Sequence, residues 1–431
     1  MNKNRLALLG GSKLIDYTFA KYNSIGKEEK VAVSNVMDSG CLSKFLGCWD
    51  EDFYGGPEVK RFERACKSYF KVQYAVTVNS WTSGLICALG AIGVEPGDEV
   101  IVTPWTMCAT ATSILHWNAI PVFADIDKRT FNLDIQSVKN NITENTKVIM
   151  AADIFGQSCD VVGLNEIALE NNIKLITDSA QSPGSITSSG LTGTLADIGG
   201  FSLNYHKHIH TGEGGIIVTN SENYYQRLAL IRNHAEAAVQ GMKVQDLSNM
   251  IGHNFRLGEI ESAIGCEQLK KLDGILERRR QIGFRLTEGL KGLKGLITPY
   301  IEKGNTHSFY IYPMILDVDL LGLPRKTIKA ALEAEGLKGL IEGYANIHML
   351  PIFQEKTAYG KKGFPWSSDI CKREVNYQKG ICPNAEELHD KTFLGYEMCL
   401  HQLDDKDVEM IISVFHKVWD SIGELISREN L

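Results

Sequence analysis

Lys207 stands in FSLNYHKHIHTGEGGIIVTN, residues 201–220, in a polar loop between two strand-like runs. A lysine amine kept partly deprotonated by its surroundings can condense with an aldehyde to form a Schiff base. Gly212, Gly214 and Gly215 allow the tight turn that returns the chain to the second run. Alone, a lysine in a glycine-flanked loop is more often a surface residue, and two further segments change that balance.

In KLITDSAQS, Asp178 ends an apolar strand-like run, where a solvated acid has no structural reason to be. Pyridoxal 5'-phosphate (PLP) needs a carboxylate against its pyridine nitrogen, because the protonated ring is the electron sink of its chemistry. A helix N-cap is the competing reading of the same aspartate. Gln181, one turn on, is placed to meet the ring hydroxyl. In VNSWTSGLICAL a strand ends in Asn79-Ser80 and a helix begins near Thr82. The free N–H groups and positive dipole end of such a helix suit a phosphate, although capping by Ser80 or Thr82 accounts for the residues equally well. Strand, polar turn and helix, then strand and acid, then loop and lysine, together supply the parts of a PLP site.

The elements that must position these residues are legible around them. QYAVTVN, DEVIVTP, IPVFADI, TKVIMAA, KLITDS, DIGGFSL and GGIIVTN are short and rich in Val and Ile, and several are separated by helical patterns such as SGLICALGAIG. That rhythm predicts an α/β fold, a mainly parallel sheet between helices, with ligands at the carboxyl ends of the strands. A long helical region follows, including LGEIESAIGCEQLKKLDGILERRRQIGFRLTEGL, and from about Leu293 the pattern turns α+β. At 431 residues the chain exceeds one core, so we expect a large domain over 1–290, with an N-terminal arm, and a small domain over 291–431.

The chain resembles the DegT/StrS-type sugar aminotransferases over nearly its whole length. FYGGPEVKRFERACKSYF, NSWTSGL, EPGDEVIVTPWTMCATA, DIFGQSCDV, LITDSAQSPG, FSLNYHKHIHTGEGG, IRNHAE, GHNFRLGEIESAIGCEQLKKLD and ERRR carry the resemblance in the family's order. It implies a fold-type I PLP-transferase, with a mainly parallel seven-stranded mixed sheet in the large domain and a smaller α+β C-terminal domain. By the same resemblance Lys207 holds the cofactor and shuttles the proton. Asp178 then pairs with the ring nitrogen and Gln181 lies near the ring hydroxyl, while Thr82 and Ser202 hold the phosphate. Asn254 matches an asparagine that reaches the phosphate of a neighbouring subunit, which implies a homodimer with shared sites. Trp81 departs from the family's small residue, and Met107 stands where relatives often place an aromatic ring over the cofactor; whether Met107 or Trp105 covers the ring is open. The implied reaction moves an amino group from L-glutamate or glutamine to a keto-sugar carried on a nucleotide or a related polyhydroxy compound. His348 and Tyr344 are candidate walls for that acceptor. Some relatives carry histidine in place of the lysine and act as dehydratases. A silent PLP-fold regulatory protein would need a damaged site, whereas Lys207, Asp178 and Gln181 are intact.

Composition narrows the alternatives. The net charge is −7, without a block of Lys or Arg, which argues against nucleic-acid binding. No run approaches the roughly 20 apolar residues of a membrane helix, and the N-terminus lacks a secretory signal, so a cytoplasmic location is expected. The ten cysteines form no CxxC and read as free thiols in a reducing compartment. His206, His208 and His210 alternate, but their place beside Lys207 favours a cofactor-wall loop over a metal site.

Overall fold

The computed structural model describes residues 5–429. The Val- and Ile-rich runs form strands β1 (Tyr74–Val78), β2 (Glu99–Val102), β3 (Ile120–Phe123), β4 (Thr146–Ala152), β5 (Lys174–Asp178), β8 (Ile198–Ser202) and β9 (Gly215–Thr219), with a small hairpin β6 (Ile186–Thr187) and β7 (Gly190–Leu191) set apart. They make a seven-stranded sheet in the order β1-β9-β8-β5-β4-β2-β3. Strands β2, β3, β4, β5 and β8 pair in parallel, while β9 runs antiparallel to both neighbours, with Tyr74 opposite Thr219 and Ser202 opposite Gly215. Ala75–Val78, Glu99–Val102 and Leu175–Asp178 are all buried, as continuous apolar runs covered on both faces must be.

The helix Glu259–Leu290, 32 residues long, joins two cores. Its first half buries Cys266, Leu269, Leu272 and Leu276 against Phe62, Phe70 and Phe201. Its second half buries Ile282, Leu286 and Leu290 in the core of a smaller antiparallel sheet. That sheet has the order β10 (Leu296–Ile297), β11 (Ile311–Leu316), β13 (Phe393–Glu397) and β12 (Leu340–Glu342). Leu6, Ile15 and Phe19 of the N-terminal arm, assigned by the sequence reading to the first unit, pack instead in this second core. Short apolar residues spread along an arm show no periodicity, so their partner was not readable from the chain.

Residues 351–382 cross the flank of the large sheet. Tyr377 donates its hydroxyl to the Pro121 carbonyl at 2.7 Å, Tyr359 donates to the Leu115 carbonyl at 2.7 Å, and Arg373 pairs with Glu99 at 2.8 Å. Since β3 is the outermost strand, this strap covers an edge that would otherwise offer unpaired backbone to another chain.

Candidate active site

The carboxyl ends of β1, β4, β5 and β8 open into a cleft of about 230 Å³, lined by Trp81, Thr82, Met107, Asp153, Asp178, Gln181, Ser202, Lys207 and Tyr344, among others. At its floor, Asp178 ends β5 and is only 6% exposed. No helix follows it, and the N-cap alternative falls away. Its Oδ1 accepts the indole Nε1–H of Trp81 at 2.6 Å and the Ala180 amide at 3.2 Å, and its Oδ2 accepts the Thr110 hydroxyl at 2.7 Å. A carboxylate offers about four acceptor positions. Three donors leave room for one more, which fits a ring nitrogen carrying a proton.

Lys207 lies in the loop between β8 and β9, 7% exposed, with Nζ 4.3 Å from the centre of the Tyr310 ring. Burial pushes its amine down to about 8, and the charge of Asp178 holds it from falling further. An amine so placed is neutral far more often at pH 7–8 than a surface lysine, as imine formation requires. Partial desolvation, with the Lys207 charge beside it, lowers His206 to about 4, although the residue as a whole stays exposed at the mouth of the cleft. His208 is fully buried, and its Nε2 donates to the Ser308 carbonyl at 2.9 Å, while the Tyr22 hydroxyl donates to its backbone carbonyl. The three alternating histidines therefore sit in a loop that locks onto neighbouring segments. Among the described residues no group of three His, Cys, Asp or Glu side chains is arranged to hold a metal.

The Gln181 amide has a determined orientation. Its Oε1 accepts the Phe155 backbone N–H at 2.8 Å, so its Nε2 must donate, and it does so to the Tyr344 hydroxyl at 3.0 Å. Phe155 holds this position at φ +59°, a left-handed conformation costly for a non-glycine residue, with its ring stacked on Phe393 at 5.2 Å. Above β1, the helix Trp81–Ile92 starts with Ser80 accepting the Ser83 amide at 3.1 Å. Thr82 is exposed in its first turn, and Ser202 at the end of β8 lines the same cleft. An anion there meets backbone donors and the positive end of the helix.

Met107 lies at the rim, 60% exposed, whereas Trp105 is completely buried behind the wall, 6.0 Å from the Tyr344 ring and 5.5 Å from Phe393. Of that pair only Met107 reaches the cleft. Tyr344 lines it as expected of a wall. His348 does not: it is fully buried, with Nε2 3.0 Å from Glu386, because the turn after Tyr344 carries it beneath the surface. None of residues 351–382 lines the cleft either. Asn254 is exposed outside the cleft, where its Oδ1 accepts from Arg256 at 2.7 Å and its carbonyl lies 3.5 Å from the Asn79 amide nitrogen.

Sequence reading missed Asp153, Thr110 and Tyr310. Asp153 follows β4 directly, just as Asp178 closes β5, so the strand-end argument applied to it as well. Burial raises its carboxyl to about 6, with hydrogen bonds from Ser179 and the Cys159 amide opposing. Thr110 and Tyr310 carry no local signal, since only the tertiary fold brings them to Asp178 and Lys207.

The model of the DegT/DnrJ/EryC1/StrS aminotransferase family matches residues 24–388. The chain belongs to that family. As a DegT/DnrJ/EryC1/StrS member it is 30% identical to GDP-perosamine synthase of Vibrio cholerae over 88% of this chain and 98% of the relative. It is 33% identical to L-glutamine:2-deoxy-scyllo-inosose aminotransferase of Streptomyces fradiae, over 77% and 78%. Among solved structures, E. coli GDP-4-keto-6-deoxy-D-mannose-3-dehydratase with bound hydrated PLP superposes with a TM-score of 0.76 at 26% identity, covering 93% of this chain and 99% of that one. The fold is the PLP-transferase fold the sequence implied, and this family member is a PLP-dependent aminotransferase.

Proposed function

We propose that this enzyme transfers an amino group from L-glutamate or L-glutamine to the carbonyl of a keto-sugar, with Lys207 as its catalytic residue. The observation that carries the reading is the buried amine of Lys207, held near pH 8 in the same cleft as a three-donor Asp178. When bound, PLP supplies the electron sink that stabilises negative charge at the donor's α-carbon. Asp178 would accept from the protonated ring nitrogen, Gln181 Nε2 would be available to the ring hydroxyl, and Ser202, Thr82 and the helix N-terminus would hold the phosphate. Trp81 and Met107 line the same cleft and would contribute to holding the cofactor. Lys207 Nζ takes the proton that leaves the α-carbon of the amino donor, and a neighbouring neutral His206 adds no competing charge.

The homodimer belongs to the same reading. Among the described residues no arginine lines the cleft, so the donor's carboxylates and an acceptor's phosphates call for cations from a second copy. Asn254 lies on a surface shared with exposed Leu42, Leu46, Trp49 and Ile251, where Trp49 packs beside Gly241 and Asn233 donates to the Leu46 carbonyl. We place this apolar surface against a second copy, with Asn254 reaching the partner's phosphate site. Two units meeting near residue 290 then allow the acceptor to enter between them. No helix among the described residues is long and apolar enough to cross a membrane, and the free cysteines fit the cytoplasm, where we locate the protein.

The test is the absorbance spectrum of PLP-loaded wild type and Lys207→Ala, before and after L-glutamate and L-glutamine. Wild type should show the visible band of cofactor held on a lysine, lose it with one or both donors, and the variant should lack it. Without that band in wild type the cofactor assignment fails. A band indifferent to both donors moves the dehydratase or the silent binder ahead.

A further inference from the structure

Position 81 holds the largest side chain in the protein alphabet, and two glycines of the surrounding structure leave the room for it. The indole is 6% exposed. A Cβ built on Gly200 of β8 would stand 2.2 Å from its Cζ3 and 2.3 Å from its Cη2, and one built on Gly84 would stand 2.6 Å from its Cε3. Two glycines, one on the strand and one a turn along its own helix, thus leave a slot for the six-membered ring. The slot fixes the other edge of the indole, whose Nε1–H reaches Asp178 Oδ1 at 2.6 Å. Thr110 holds the second oxygen at 2.7 Å, so the carboxylate cannot rotate without breaking a charge-assisted hydrogen bond in a water-poor site.

We infer that Trp81 is a positioning residue that acts through Asp178: its indole N–H orients the carboxylate and holds the shared proton on the cofactor's ring nitrogen. The physical reason is that donors to a carboxylate stabilise its ionised form. With Trp81 donating to one oxygen and Thr110 to the other, the carboxylate is fixed in rotation, and its remaining acceptor position is aimed where a protonated ring nitrogen would meet it. Gly200 is required here twice, because a Cβ there would meet both the Ile216 carbonyl oxygen of β9 and the indole at 2.2 Å. The inference rests on the PLP assignment above.

The experiment uses the full-length protein loaded with PLP labelled with ¹⁵N at the ring. Trp81→Phe keeps an aromatic ring in the slot and removes only the donor. Its ring-nitrogen shift should move toward the unprotonated value, and PLP should dissociate at least about tenfold more readily, the scale of one lost hydrogen bond to a charged group. Thr110→Val should move the shift in the same direction. A merely space-filling tryptophan predicts an unchanged ¹⁵N shift in Trp81→Phe, and that result overturns the inference while leaving the cofactor assignment intact. Failure of wild type to take up PLP overturns both. Should Trp81→Phe not fold, ¹⁵N-tryptophan labelling of wild type decides instead: one indole N–H signal must shift when PLP is added and move again in Thr110→Val, and an unmoved set of indole signals refutes the proposal.

Discussion

Lys207 carries an electrostatic cost that the rest of the molecule must absorb. Its amine is depressed by burial from 10.5 to about 8, which corresponds to roughly 3 kcal/mol of unfavourable charge burial when it is protonated at pH 7. The sign follows from proton counting: between pH 8 and 10.5 the unfolded chain binds a proton at this lysine that the native protein does not, so stability rises across that window. Cofactor-free Lys207→Met is therefore expected to unfold at higher temperature than wild type at pH 7, with the gap closing as pH is raised through 8 toward 10.5. Calorimetry at three pH values checks this, and a less stable variant at pH 7 would contradict it. For the same reason, the rate of PLP capture by wild type should climb as pH passes through about 8. Lys207 and Asp178 were legible because each breaks a local rule: a polar reactive group stands where the strand pattern has just ended. Thr110 and Tyr310 break none, and Met107 and Trp105 differ only in burial, which the fold decides.

Among the elements, the junction of β1 with the helix Glu222–Arg232 depends on one buried ion pair. Arg232, 1% exposed, meets Glu63 at 2.7 Å, and the same glutamate oxygen accepts the backbone N–H and hydroxyl of Thr77 at 2.9 and 3.0 Å. Removing the carboxylate strands a guanidinium in the core. Glu63→Ala should cost about 3–5 kcal/mol, readable as a lowered denaturant midpoint, while replacing both residues by apolar ones should cost less than the single change. The strands around this junction were readable from their Val- and Ile-rich runs. The strap over residues 351–382 was not, because its Lys- and Gly-rich composition matches a solvated loop, and its hold comes from a few tyrosines and one arginine spaced without period.

The whole enzyme, in the reading offered above, is two copies. Each chain would contribute an exposed apolar surface that includes Trp49 and Ile251, 46% and 70% exposed. Trp49→Asp combined with Ile251→Asp should shift sedimentation from a species of twice 47.8 kDa toward a single chain and weaken PLP retention with it. Dissociation without cofactor loss would separate the dimer from the shared-site assignment. In that reading a symmetric interface would explain why the sequence of one chain under-reports the acceptor site, since part of its walls would belong to another molecule.

The reversal of β9 has a consequence for how such an enzyme changes over time. Because β9 runs against β8, the loop bearing Lys207 leaves and re-enters the sheet at the same end, its two feet only about 5 Å apart. A parallel crossover would have tied the length of that segment to the span of the sheet. A hairpin connection has no such tie, and doubling a loop's length adds only about 0.6 kcal/mol of closure entropy. Insertions near the reactive amine can thus be tried and discarded without disturbing the register of any strand, which leaves new acceptors within reach of a scaffold that never has to be rebuilt.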